Sequence, residues 1–296
     1  GDLRRALLND NFSLKRIINY DPITMPYGSS QDKILKKLKT IYRNNMPLVD
    51  KNNKLVEVVS LENINFNVKP NWVCIMAGGL GKRMGELTKA IPKPMLTLGT
   101  KPILEHIINH FSSQGFKKFL ISTGYKASII KDFFKNGKEW GVHIEYITEK
   151  ERMGTGGSLS LLNKKFDNPI IIANGDIITS LNVQKVINFH KKENAHATMC
   201  IRKKTFTIPF GLVDFDKKNN FKSINEKPNL EYYINCGIYI LNPEILKIVP
   251  KSHFDLPLLF SKSKKNKIKS KVFEITDKWV DLGYPQEYHK LNDKLD

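Results

Sequence analysis

The chain has 296 residues, 41% of them hydrophobic and 26% charged, a globular composition with length enough for one large domain or two smaller ones. Its three cysteines, Cys74, Cys200 and Cys236, are far apart and form no CxxC pair, which excludes a disulfide framework or a cysteine-rich zinc site and makes a reducing cytoplasm the expected setting. The net charge of +19 invites a polyanionic partner. However, the one dense basic run, "KSKKNKIKSK" (262–271), has no interleaved aromatics for base stacking, so nucleic acid is not expected.

No uncharged apolar run is long enough to span a bilayer, and "GDLRRALLND" lacks the apolar segment of a signal peptide, so no membrane partner is expected either. In chain order, "SLKRIINYDPITMPYGSSQDKILKKLKTIYRNNMPLVDKNNKLVEVVSLENI" reads as strand, loop, helix, strand, turn, strand and the start of a helix. This order resembles one cystathionine-beta-synthase (CBS) motif, and the preceding "GDLRRALL" resembles the tail of another. The resemblance implies a partial CBS-like domain over 1–66, where a homo-oligomer would form. A polar, proline-containing linker at "NINFNVKPNW" then separates it from a second domain over 67–296.

From the strand Trp72–Met76 onward the pattern alternates. Strand-like "KFLIST", "HIEYIT", "PIIIANGD" and "HATMCI" are interleaved with helically spaced "KPILEHIINHFSSQ", "KASIIKDFF" and "LNVQKVINFHKK". Such alternation predicts an α/β fold, a Rossmann-like, mostly parallel sheet with helices on both faces, with ligands beyond the carboxyl ends of the strands. The later part turns strand-rich. "FGLVDFD", "FKSINEKP", "YYINCGIYIL" and "KVFEIT" are expected to add antiparallel strands at the sheet edge and to build a lid or second half-site, with "NPEILKIV" and "HFDLPLLFS" as short helices.

The segment "MAGGLGKRMGELTKAIPKPM" (76–95) places four glycines and four cations directly after a buried strand. Glycine lets backbone N–H groups approach a phosphate closely. The two common phosphate loops do not fit: a Walker A loop fails because Arg83 follows Gly81–Lys82, and the G-x-G-x-x-G fingerprint fails at Met84. What remains is a loop offering Lys82 and Arg83 to a triphosphate, with Lys93 held between two prolines that stiffen its backbone.

This block closely resembles the signature of sugar-1-phosphate nucleotidyltransferases, and "ERMGTGGSL", "NGD", "FG", "NEKP", "NCGIYIL" and "WVDLGYPQEY" follow in the family's order. The resemblance extends over about Pro70 to Asp296 and implies a GT-A-like fold. It also implies attack by a sugar-1-phosphate oxygen on the α-phosphorus of a nucleoside triphosphate, with release of pyrophosphate. Both reactants are anions, so catalysis of this kind is alignment and charge neutralisation.

By resemblance, Arg83, with Lys82 beside it, holds the β- and γ-phosphates, and Lys93 bridges the reacting groups. Asp176 and Asp281 are the implied ligands of Mg²⁺, a cation that keeps water and phosphate in its shell. The base is expected against Ala77, Gly78, Gly154 and Thr155, with Gly79, Gly81 and Lys82 also binding the nucleotide. The sugar phosphate is expected at Gly211, Glu226, Lys227, Asn235 and Gly237. Relatives with CBS motifs ahead of this domain include guanylyltransferases of glucosamine-type sugar phosphates in bacterial nonulosonic (legionaminic) acid synthesis. They imply GTP and glucosamine or N-acetylglucosamine 1-phosphate as substrates. Uridylyl or thymidylyl transfer, a heptose or mannose acceptor, and a catalytically silent nucleotide sensor are the alternatives. His106 and His110, four apart on a helix, are expected as one packed and one exposed side chain, and Cys236 as a small buried residue.

Overall fold

The computed structural model describes residues 19–29, 31–61, 68–263, 265 and 267–293. The expected tail of a first CBS-like motif at "GDLRRALL" and the helix expected to start after Leu61 lie outside the described residues. The chain divides into two compact units, Gly1–Asn67 and Val68–Asp296. Among the described residues no helix is long and apolar enough to cross a membrane.

In the smaller unit, β1 (Met25–Pro26), α1 (Gln31–Thr40), β2 (Asn45–Val49) and β3 (Leu55–Ser60) follow one another. Strand β2 pairs with β1 in parallel and with β3 antiparallel. Ile34 and Leu38, one helical turn apart, are buried against Met46 and Leu48. This is a small core, and the lysines of α1 face away from it.

The larger unit begins with β4 (Lys69–Met76), followed by the short pair β5 (Thr97–Leu98) and β6 (Lys101–Pro102). Then come α2 (Ile103–Ser112), β7 (Phe116–Thr123), α3 (Ala127–Phe134), β8 (His143–Thr148), β9 (Ile170–Asn174), β10 (Ile177–Thr179) and α4 (Val183–Lys192). The remainder is β11 (Ala197–Thr207), β12 (Leu212–Phe215), β13 (Phe221–Asn225), β14 (Asn229–Leu241), β15 (Ser270–Glu274), β16 (Trp279–Asp281) and α5 (Pro285–Asn292). Seven strands form the central sheet in the order β15-β11-β14-β9-β4-β7-β8. Strands β9, β4, β7 and β8 run parallel; β14 is antiparallel to both of its neighbours.

Both faces of the parallel strands are apolar, as a sheet covered on two sides requires. Val73, Ile75, Phe119, Ile121, Ile171 and Ala173 enter one core, whereas Cys74, Leu120, Ile170 and Ile172 enter the other. The cover is uneven. Helices α2, α3 and α4 all pack into the first core, through residues such as Ile107, Phe134 and Val186. The second is closed by short helical turns carrying Leu159, Ile245 and Leu259.

Two expectations change. "YYINCGIYIL" is expected at the sheet edge, but β14, which contains it, lies between β9 and β11. The reason is visible in β14 itself: Ile238 and Ile240 face one core, Tyr239 and Leu241 the other, so this strand belongs in the sheet interior and not at its edge. Beyond the sheet, β11 and β14 continue as an exposed ribbon that leads to the β12–β13 hairpin. In addition, His106 and His110 are both half-buried, His106 Nε2 lying 2.8 Å from the Leu98 carbonyl and His110 meeting Gln114 at 3.0 Å.

Phe119 has no exposed surface. Phe119→Ala is therefore expected to destabilise the larger unit by about 3–5 kcal/mol in denaturant unfolding. Phe221→Ala, on the exposed hairpin, should shift it by less than about 0.5 kcal/mol.

Candidate active site

The loops that follow β4, β7, β8 and β9 meet at the carboxyl edge of the sheet. The Ala77 amide donates to the Ser122 carbonyl (2.9 Å), the Gly175 amide to the Met76 carbonyl (2.9 Å), and the Glu149 amide to the Thr123 carbonyl (2.9 Å). These bonds tie four loops to one another around a cleft of about 300 Å³.

Gly81 sets the path of the first loop. Its φ is +64°, and a Cβ there would come within 2.9–3.3 Å of Thr88 and Lys93, so a side chain is excluded both by the left-handed backbone and by crowding. The Met84 amide donates to the Gly81 carbonyl at 2.8 Å, closing the tight turn Lys82–Met84. Lys82 and Arg83 are left exposed over the cleft while Met84 is buried below. Pro92 is extended and Pro94 sits in the next turn. Between them Lys93 is 9% exposed, and its Nζ donates to Asp176 Oδ2 at 2.5 Å.

Asp176 follows β9, and β10 continues from it to pair antiparallel with β16, opposing Ile177 to Asp281. The Leu282 amide donates to the Asp176 carbonyl at 3.0 Å. Two carboxylates far apart in sequence thus share one corner. Asp281 keeps contact with solvent, but its carboxyl is raised above the usual range, first by desolvation and then by the negative charge of Asp176. Arg83 lies over the Tyr284 ring, its Cζ 5.1 Å from the centroid, close enough for a cation–π contact. Its guanidinium is pushed above the ordinary value, chiefly by a hydrogen bond with Tyr284.

The predicted residues divide into two groups. Ala77, Gly78, Gly79, Gly81, Lys82, Arg83, Lys93, Gly154, Thr155 and Asp176 line the cleft together, and Asp281 adjoins it next to Gly283. The expected sugar-phosphate residues do not line it. Gly237 is buried where its Cα faces Asn174, and the Asn235 amide donates to the Tyr239 hydroxyl at 2.6 Å. Gly211, Glu226 and Lys227 lie out at the β12–β13 hairpin, where Glu226 and Lys227 are exposed.

Glu149, Arg152, Asn174 and Asp255 also line the cleft, and Tyr284 holds Arg83 beside it; none was expected from the sequence. Glu149 Oε1 accepts from Ser122 Oγ (2.6 Å) and Oε2 from the Met153 amide (3.2 Å). Asp255 Oδ1 accepts from the Thr155 amide at 3.1 Å. Tyr284 stands inside the "WVDLGYPQEY" element and could have been noticed there. Asp255 carries no motif at all.

Among the described residues no cluster of three or more His, Cys, Asp or Glu side chains is arranged to hold a metal alone. Asp176 and Asp281 fit a hard cation that takes its remaining ligands from phosphate and water, and such a cation would offset the charge of Asp176 that, after desolvation, helps to raise Asp281. A larger depression of about 650 Å³ lies beside β8. There Lys164 and Glu145 pair with each other at 2.5 Å.

The family model for "Nucleotidyl transferase" matches residues 73–296. The D-glycero-alpha-D-manno-heptose 1-phosphate guanylyltransferase of Campylobacter jejuni is 31% identical over 219 residues, covering 73% of this chain and 96% of that protein. The mannose-1-phosphate guanyltransferase of Pichia angusta is 31% identical over 228 residues; the match takes in 72% of this chain but spans only 61% of that relative's length. Among solved structures, HddC from Yersinia pseudotuberculosis superposes with a TM-score of 0.61 at 29% identity, over 76% of this chain and 100% of that one. The same protein has been solved in complex with GMP-PN. The chain belongs to the nucleotidyl transferase family, that of the sugar-1-phosphate nucleotidyltransferases.

Proposed function

We propose that the protein transfers a guanylyl group from GTP to a sugar 1-phosphate and releases pyrophosphate. The observation that carries this reading is the meeting of Lys82, Arg83 and Lys93 with Asp176 in one glycine-walled cleft. Two similar proteins whose names specify guanylyl transfer to a sugar 1-phosphate support it, as does the complex of HddC with GMP-PN.

The chemistry asks for little from the protein beyond placement and charge. The exposed Arg83 and Lys82 take the β- and γ-phosphates and stabilise the departing pyrophosphate. Lys93, its backbone stiffened by two prolines and its side chain held by the ion pair with Asp176, offers its ammonium to the oxygens on the α-phosphorus. The flanking amides of Gly78, Gly79 and Gly81 exclude water and approach the nucleotide without a Cβ in the way. Asp176 and Asp281 would hold Mg²⁺, which supplies further neutralisation of the phosphate charge when bound. The hairpin that carries Gly211, Glu226 and Lys227 closes the sugar-phosphate side once acceptor binds, with Asn235 and Gly237 at its base.

Glucosamine or N-acetylglucosamine 1-phosphate is the acceptor expected from the resemblance of the N-terminal region. The relatives' names, by contrast, specify manno-configured sugars. The N-terminal unit is assigned by the same proposal to a partial CBS-like domain, supported by the strand–helix–strand–strand order over Met25–Ser60.

Pyrophosphate release should be observed with GTP, Mg²⁺ and one member of a panel of glucosamine, N-acetylglucosamine, mannose and heptose 1-phosphates. A preference for UTP or dTTP would overturn the choice of base, and no release with any pair would favour a silent nucleotide sensor. Arg83→Ala should lower kcat by about 10²–10³-fold with an unchanged circular-dichroism melt; near wild-type turnover would remove Arg83 from its role. Asp281→Asn separates stability from function. A carboxyl with a raised folded-state value stabilises the fold below its ordinary value and loses that contribution as pH rises through the raised one. At neutral pH and without metal the variant should therefore melt no lower than the parent protein, while its Mg²⁺-dependent turnover falls by at least about 10²-fold.

A further inference from the structure

Arg83 stands on an exposed turn, where a long side chain must give up most of its rotamer freedom before it can serve a ligand. Something has to hold it. Lys93 meets a carboxylate, that of Asp176, whereas the Arg83 guanidinium meets a neutral ring, its Cζ 5.1 Å from the centroid of Tyr284. A hydrogen bond with Tyr284 is also the first cause of its raised guanidinium value, ahead of the charges of Asp281 and Asp176. A carboxylate in that place would balance the charge and take up donors that a phosphate needs. A tyrosine leaves the cation its whole charge and most of its five N–H donors.

The Tyr284 ring is 55% exposed, so it adds little to the core, yet the backbone beneath it is fixed on both sides. On one side Leu282 is fully buried, and the Gly283 amide donates to Asp281 Oδ1 at 2.7 Å. On the other, Pro285 opens α5 and favours the extended backbone that Tyr284 adopts, with φ −131° and ψ 150°. Helix α5 is itself moored to the β5–β6 hairpin that follows the first loop. The Tyr288 hydroxyl donates to the Thr97 carbonyl at 2.5 Å, and Asn292 Oδ1 accepts from the Gly99 amide at 2.7 Å. A ring on so firm a base can keep a guanidinium in one place.

Ligands of the cleft differ in whether they reach that guanidinium. A nucleoside triphosphate and pyrophosphate both present the phosphates assigned to Arg83; a nucleoside monophosphate presents neither. A residue that acts through Arg83 is therefore felt by the first two ligands and not by the third.

We infer that Tyr284 is a positioning residue, which holds the Arg83 guanidinium over the cleft and so favours ligands carrying a pyrophosphate group over a nucleoside monophosphate. The inference rests on the nucleotidyl-transfer reading above, in which Arg83 takes the β- and γ-phosphates. A role confined to the Asp281 turn or to α5 would not separate these ligands.

The test is calorimetric titration of the full chain with GTP, GMP and inorganic pyrophosphate, alongside initial-rate kinetics. Tyr284→Ala should weaken GTP and pyrophosphate by about tenfold and leave GMP within about twofold of the parent protein. Tyr284→Phe keeps the ring face and loses the hydroxyl, so its affinities should fall between those of the parent and Tyr284→Ala. In an Arg83→Ala background, Tyr284→Ala should cost less than about a further twofold, because the group it positions is gone. The KM for the sugar 1-phosphate and the Mg²⁺ concentration giving half-maximal turnover should each stay within about twofold. Parent-like GTP and pyrophosphate affinity in Tyr284→Ala would overturn the inference, and so would an equal loss for GMP, a full tenfold loss persisting without Arg83, or a shifted Mg²⁺ requirement. A parent protein that binds pyrophosphate but turns over no substrate pair loses the transfer reading alone, since the titrations still decide the role of Tyr284; one that binds neither GTP nor pyrophosphate loses both.

Discussion

The contact on which the site depends is the ion pair between Lys93 and Asp176. It joins the proline-framed turn of the first loop to the end of the central strand β9, at 2.5 Å and with both side chains largely withdrawn from water. A buried pair of this kind adds little net stability, because desolvation offsets most of the attraction and apolar residues of similar volume often do as well. Its physical sense lies in what it positions. The pair places a cation and an anion a fixed distance from where phosphates and a divalent ion would meet, and Asp281, raised first by desolvation and then by the charge of Asp176, completes the corner.

The fold supplies this corner by topology. Parallel strands put their carboxyl ends on one edge, and the amide-to-carbonyl bonds between the loops after β4, β7, β8 and β9 keep those ends together. Strand β16 then returns from the far end of the chain to pair with β10 and delivers Asp281. Rigid framing surrounds the cleft, while β11 and β14 run out beyond the sheet as a largely exposed ribbon. An isolated two-stranded ribbon is marginal in water, so this element can be displaced at low cost.

Much of this was legible in the sequence, and for local reasons. Glycine and proline act on their own backbone, so "GGLG" and "PKP" report the turn and the stiff lysine wherever they occur. The helices α2, α3 and α4 announce themselves through apolar residues three and four apart. Placing β14 between β9 and β11 was not legible, because a strand apolar on both sides says that it is buried but not which neighbours bury it. Glu149 escaped notice for a different reason. A glutamate at the end of a strand has no motif, and its meaning arises only from Gly78 and Met153, which approach it in space. Tyr284 was quoted within its element yet left without a role, since its contact with Arg83 spans most of the larger unit.

The central claim is that a sugar-phosphate oxygen attacks the α-phosphorus of the nucleotide in this cleft. Its most direct test follows the oxygen itself. With a sugar 1-phosphate labelled with ¹⁸O in the phosphate group and unlabelled GTP, mass spectrometry of the products should find all of the label in the nucleotide-sugar and none in pyrophosphate. Label in pyrophosphate, or a nucleotide product that lacks the sugar phosphate, would contradict the account.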